Sequence, residues 1–594
     1  MIKQPENRSR LIKAALGEIP FDLVIKNIKL VNVFTEEIYP AEIGIYGGYI
    51  AHVEPYPDQK GENSALKGEK IFEGRGLYAS PGFIDSHVHI ESSLMNPANF
   101  AATVLPRGTT TVITDPHEIA NVLGLEGVRY MLESSQQLPM NQFVLAPSCV
   151  PSAPDFESGG ANFGSDEIAE IISWEGVLGL AEVMDYPGVI HNNDRMKSIL
   201  EMALKEDVFI QGHSPGLGGR ELSAYLCAGP RSDHEITETE EAREKIRAGM
   251  TVDARESSIS QDLKNLIPVF KDRPLPPNFT LCTDDREPDD LLAEGQMNHV
   301  IQRAIEEGLS PLQAIKSATY QSAREIGINN LGALAPGYEA DIVLLSSLEK
   351  VEVEDVFFRG QLVAQKEELV TNIPSRKKPL EKKNTVFLNQ LSKEDFKIKV
   401  PENKKKITAH TINYPAPDTL FTELGTTEIE IKNGCLDLTE RDDINLLAVF
   451  NRYPDNDNVS RGLICDFGLK KGAVASTVSH DCHNLTVAAS NPQDAAIAAN
   501  AVIEAGGGIG CAESGELKAL LKLPIAGLMS SADPKKIVAE VKKVKTVLRN
   551  LGLKDSHPLL KISTLTLAVI PEVKITDRGI VDVNNQQFIP LFTE

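Results

Sequence analysis

From Leu77 onward, short apolar runs alternate with stretches whose apolar residues recur at helical spacing. The runs are LYASPGFIDSHVHI, TTTVITDPHE, NQFVLAPSCVPS, GVLGLAEVMDY, DVFIQGHSPG, the segment before SDHE, MTVDARESS and FTLCTDDRE. Amphipathic segments such as NPANFAATVLPRG and RMKSILEMALKEDV lie between them. Eight strand–helix units in succession predict an α/β fold of the (β/α)8 TIM-like barrel type over residues 77–327. The sixth unit is the least regular, because ELSAYLCAGPRSDHE reads equally as helix and loop.

Both flanks of the barrel carry a different pattern. FDLVIKNIKLVNV and AEIGIYGGYIAHV alternate apolar and polar positions between Gly and Pro turns, as does LGALAPGYEADIVLLSSLEKVEVEDVFFRGQLVA after the barrel. Residues 1–76 and 328–375 are therefore expected to build one composite small β-sheet domain. A basic linker, 376–394, follows, and 395–594 mixes strands (TEIEIKNG, NLLAVFNRY, LTVAAS) with helices in a C-terminal α/β domain. Asp533 and Pro534 before KKIVAEVKKVKTVLRNLG supply an N-cap and an N1 proline.

Composition narrows the function classes. With 84 Asp+Glu against 60 Lys+Arg the formal net charge is -24, which repels nucleic acid and anionic membranes. The basic stretches PSRKKPLEKKN and PENKKK read as solvated domain edges. Seven cysteines, at 149, 227, 282, 435, 465, 482 and 511, form no CxxC pair, so reduced thiols and a cytoplasmic enzyme are expected. No apolar run approaches the ~18 residues that a membrane span needs.

The chemistry gathers where the barrel strands end. His87 and His89, two apart on a strand, share a face and can grip one ion. Glu182 closes an apolar strand, where an unpaired buried carboxylate costs several kcal/mol, of order ~3 to 5, so it needs a cationic partner. His213 and His234 supply further nitrogen donors. Of the adjacent pair Asp284 and Asp285, the first is expected to face inward.

An HxH pair, a strand-4 carboxylate, two histidines and an aspartate, in barrel order, resemble the amidohydrolase superfamily. The resemblance sharpens in PGFIDSHVHIESSL, RGTTTVITDPHEIANVLG, CTDDREPDDLL, SHDCHNLTVAAS, IEAGGGIG, LPIAGLMS and LTLAVIPEVKITDRGIVDV, which look like the bacterial adenine deaminases along nearly the whole chain. It implies a metal-dependent hydrolase barrel that converts adenine and water to hypoxanthine and ammonia in purine salvage. Two divalent ions are implied on His87, His89, Glu182, His213, His234 and Asp284, as Mn(II) or Fe(II); imidazole and carboxylate donors suit Zn(II) as well. Asp284 would accept and return the proton, and Glu182 would hold the ions together. A homo-oligomer, a dimer, is expected.

Attack on a purine carbon also needs a donor at a ring nitrogen. Three residues after His213 stands Gly216, where the adenosine deaminase branch has glutamate. The donor is therefore sought in Glu256, then Glu118, then Glu91. His117 and Arg255 are further substrate-binding candidates, although DPHEIANVL also reads as a helix start capped by Asp115, and Arg255 and Glu256 as members of surface ion pairs. His480, Asp481 and His483 are expected to close the active site; a metal site or a local turn are the other readings of SHDCHN. A different amidohydrolase reaction, on a cyclic amide or an acetyl group, or a non-catalytic scaffold, would share the same donor set.

Overall fold

The computed structural model describes residues 8–56, 66–270, 273–374, 380, 383–400, 404–439 and 441–593. Most of PSRKKPLEKKN and the first half of PENKKK lie outside them. Eight parallel barrel strands are present: β1 (Phe83–Val88), β2 (Thr109–Thr114), β3 (Asn141–Ala146), β4 (Val177–Val183), β5 (Phe209–Gly212), β6 (Ser232–Asp233), β7 (Thr251–Arg255) and β8 (Phe279–Cys282). β1 to β5 form one ladder and β6 to β8 another. The barrel closes where Arg231 N donates to Ile210 O and Asp284 N donates to His87 O. The irregular sixth unit resolves into a helix, Gly219–Cys227, and a two-residue strand.

The run LYASPGFIDSHVHI, read as one barrel strand, is two. Tyr78–Pro81 pairs antiparallel with Ile342–Ser347 and parallel with Phe21–Asn32, so it belongs to the small sheet. β1 begins two residues later. Gly82 makes the switch: its amide donates to Asp341 O, and a Cβ there would lie 2.1 Å from Thr110 Oγ1. Through this segment both flanks of the barrel join in one nine-stranded sheet.

The C-terminal unit carries a second nine-stranded sheet, mostly antiparallel, covered by Pro492–Ala505 and Pro534–Leu551. Asp533 caps the latter helix through Lys535 N, with Pro534 in its first turn. This unit packs on the barrel. Ser530 N donates to Leu94 O beyond β1, and Lys545 Nζ reaches Glu287 Oε2 at 2.7 Å. Among the described residues no helix is long and apolar enough to cross a membrane.

Candidate metal centre and active site

The six expected donors converge at the C-terminal end of the barrel, all but His213 buried. Their hydrogen bonds settle how the rings are turned. His87 Nδ1 faces Gln211 Oε1 at 2.9 Å, and Gln211 is itself oriented by donating to Ser86 O. His89 Nδ1 faces Asp115 O at 3.0 Å. Both rings therefore donate from Nδ1 and turn Nε2 toward the cage. Those two Nε2 atoms stand 3.1 Å apart, close enough to ligate one cation together.

Glu182 spans the cage. Its Oε1 is 3.3 Å from His89 Nε2, and its Oε2 is 2.7 Å from His213 Nδ1 and 3.3 Å from His234 Nε2. Asp284 Oδ1 completes the first half, 3.2 Å from His89 Nε2 and 3.6 Å from His87 Nε2. A carboxylate with one oxygen toward each half can serve a divalent cation on either side, and the residues fit such a cation. When bound, divalent cations there would lower the pKa of a water toward about 7.

Asp284 faces the cage, and Asp285 stands at its edge rather than turning fully outward. The Asp284 φ of 56° lies in the left-handed region, a strained backbone that the surrounding contacts hold in place. Asp285 accepts from the Ser92 hydroxyl while its carboxylate also lies within reach of His89 and Asp284. Arg255 donates from Nη1 to Asp284 Oδ2 at 2.9 Å and from Nε to Asp262 Oδ2 at 3.1 Å, and it also pairs with Glu235. It is buried and anchors the aspartate, so the surface-pair reading fails for it. Glu256, the first choice for the ring donor, points the other way. Its Oε1 accepts from Arg303 Nε at 3.2 Å on the outer helix Met297–Glu306. Successive side chains on a strand face opposite sides, so an inward Arg255 sends Glu256 outward.

The helix after β2 runs His117–Leu123, with Pro116 at the cap position. Asp115 serves it without being the N-cap, accepting from His117 N at 3.0 Å and lying 3.1 Å from His117 Nδ1. His117 Nδ1 is also 3.4 Å from Glu182 Oε1, which brings this residue to the cage. Its Nε2 looks away, 3.3 Å from Glu118 Oε1 and 3.8 Å from Asp481 Oδ1.

There the C-terminal unit enters. His480 Nδ1 is 2.7 Å from Glu118 Oε1, and His483 Nε2 bonds to Glu118 Oε2. Burial disfavours the charge on Glu118, but His480, His483 and His117 hold its carboxyl well below the ordinary range. Glu91, beyond β1, accepts from Ile119 N through Oε1 while its buried Oε2 has no partner. Burial pushes its carboxyl up to about 7.

Several residues at this site escaped the sequence reading. Gln211 stands two before His213 in an apolar strand, a spacing that signals a shared face. Glu157, in the loop after β3, accepts from Ser152 Oγ and Ala153 N, and burial, with Asp481 nearby, pushes its carboxyl up to about 8. Nothing in its surroundings in the sequence distinguishes it from a loop carboxylate.

Residues 78–363 match the amidohydrolase family model, and residues 419–587 match the adenine deaminase C-terminal domain. The adenine deaminase of Kosmotoga olearia is 40% identical over 98% of this chain and 98% of its own. That of Methanothrix thermoacetophila is 40% identical over 98% of this chain and 99% of its own. The chain belongs to the adenine deaminase family of amidohydrolases. A beta-aspartyl dipeptidase structure from Fervidobacterium islandicum is similar at 19% identity and TM-score 0.45, covering 59% of this chain and 98% of that one. Both the donor cage and the His480–His483 segment fall inside the spans that the family models match.

Proposed function

We propose that this adenine deaminase relative hydrolyses adenine to hypoxanthine and ammonia, in the cytoplasm and in the service of purine salvage. The observation that carries the reading is the meeting of a split-carboxylate donor cage with a histidine-bearing segment of the adenine deaminase C-terminal domain. Two ions, Mn(II) or Fe(II), are proposed for the cage; the donors suit Zn(II) too. Seven free thiols suit a reducing compartment.

Asp284 accepts the proton of the water that adds to C6 and returns it to the departing amine. Arg255 keeps Oδ2 of that carboxylate occupied, so Oδ1 is the oxygen turned to the cage. Of the three donor candidates, Glu256 pairs with Arg303 on the outer helix and Glu118 is held ionised by histidines, which leaves Glu91, whose carboxyl burial raises to about 7, to serve the purine ring. His117, Glu118, His480, Asp481 and His483 form the wall that shields the reacting carbon from bulk water.

Incubating the purified, Mn-loaded protein with adenine and following hypoxanthine by chromatography tests the reading. Conversion with stoichiometric ammonia is expected. No turnover of adenine, or equal turnover of a cyclic amide, would overturn it.

A further inference from the structure

The half of the cage made by His213 and His234 stands on a charge network that no step above uses. Asp233, fully buried, accepts four hydrogen bonds. Oδ1 takes Ser214 N and Glu235 N, both at 3.1 Å, and Oδ2 takes Ser214 Oγ at 3.1 Å and Lys245 Nζ at 2.5 Å. Lys245 is equally buried and spends its other two N–H bonds on Ser214 O and Glu241 Oε1, each at 2.6 Å. Every donor of the ammonium is used.

The flanking residues give this network its meaning. Ser214 follows His213, and Asp233 and Glu235 bracket His234, so one carboxylate grips the backbone beside both imidazoles. The helix Thr239–Arg247 grips the same loop twice more, with Glu241 accepting from Gly216 N and Glu244 from Gly219 N, both at 2.7 Å. Glu241, Glu244 and Lys245 share one helix face by their spacing. That face is a clamp on the segment after β5, and Lys245 links it to Asp233 at the end of β6.

We propose that Lys245, acting through Asp233, is a positioning residue that sets His213 and His234 at the spacing a divalent cation requires. The imidazoles lie on two separate strand ends, and β6 is only two residues long, so its ladder offers little to hold His234 in place. The ammonium–carboxylate pair does that instead. Groups outside the ligand set commonly change metal affinity by about 10- to 100-fold when removed.

The inference rests on the reading of the cage as a two-cation site, and the test separates the two. Full-length wild type and Lys245→Met, stripped of metal, are titrated with Mn(II) by equilibrium dialysis, with folding followed by circular dichroism. Wild type is expected to bind two ions per chain, and Lys245→Met to hold one of them about 10- to 100-fold more weakly with the other unchanged. A wild type that binds no Mn(II) refutes the cage reading. A folded Lys245→Met that binds both ions as wild type refutes the positioning role and leaves a plain structural staple. Should Lys245→Met not fold because Asp233 is stranded, Asp233→Asn/Lys245→Met removes both charges, and it must show the same selective weakening; wild-type affinity there overturns the proposal.

Discussion

The cage at the barrel mouth and the seam beside it are built from the same residue types with opposite polarity. In the cage, His87 and His89 give their Nδ1–H groups to protein acceptors and turn Nε2 inward. At the seam, His483 accepts from Ser479 N through Nδ1, which leaves Nε2–H to donate to Glu118. The first arrangement is incomplete without a cation, whereas the second satisfies its carboxylate with protons. Histidine and carboxylate in contact are thus not one signal; the partner of the far ring nitrogen decides between a metal site and a proton-linked contact.

The strongest way to break this contrast is Asp284→Asn. On the proposed reading the amide would lose a metal ligand and the proton acceptor together, so kcat is expected to fall by about 10⁴-fold or more with the melting temperature held. Near wild-type turnover with metal present would remove Asp284 from the chemistry. At the seam, His480→Ala and His483→Ala are each expected to lower kcat/KM on the order of 10²-fold, with metal content unchanged, because the wall shifts without touching a ligand. Loss of bound metal would erase the distinction between the two regions.

A finer test uses Glu157, whose carboxyl is raised to about 8 beside the seam. Between the usual carboxylate range and pH 8 the folded state holds a proton that the unfolded state has released, so this group lowers stability as pH rises. The slope is at most about 1.4 kcal/mol per pH unit. Glu157→Gln is therefore expected to flatten the fall in melting temperature from pH 5 to pH 8, and an unchanged slope would show that the group is ionised throughout. The smallest effect is expected from Glu256→Gln, within about threefold of wild-type kcat/KM, since its partner Arg303 lies on the outer helix. A loss comparable to Asp284→Asn would return Glu256 to the active site.

The pattern of apolar runs and the residues that end them pointed by themselves to the eight-stranded barrel, the composite sheet and the six side chains that converge at the barrel mouth. These are local properties: a strand shows its period within a few residues, and a ligand at its end interrupts an apolar run. Tertiary structure alone decided what each polar side chain faces. Alternation requires Arg255 and Glu256 to point opposite ways, but only the strand register chose Arg255 for the inside, where it meets Asp284. Tyr78–Pro81 could not be separated from β1 without its partner Ile342–Ser347, far along the chain. Glu118 and His483 are 365 residues apart, and Lys245 gives no sign in its helix of the buried Asp233 it holds. Contacts of that kind depend on how separately folded elements pack, and the energy that fixes them, burial of charge against a matched partner, exists only once the packing is complete.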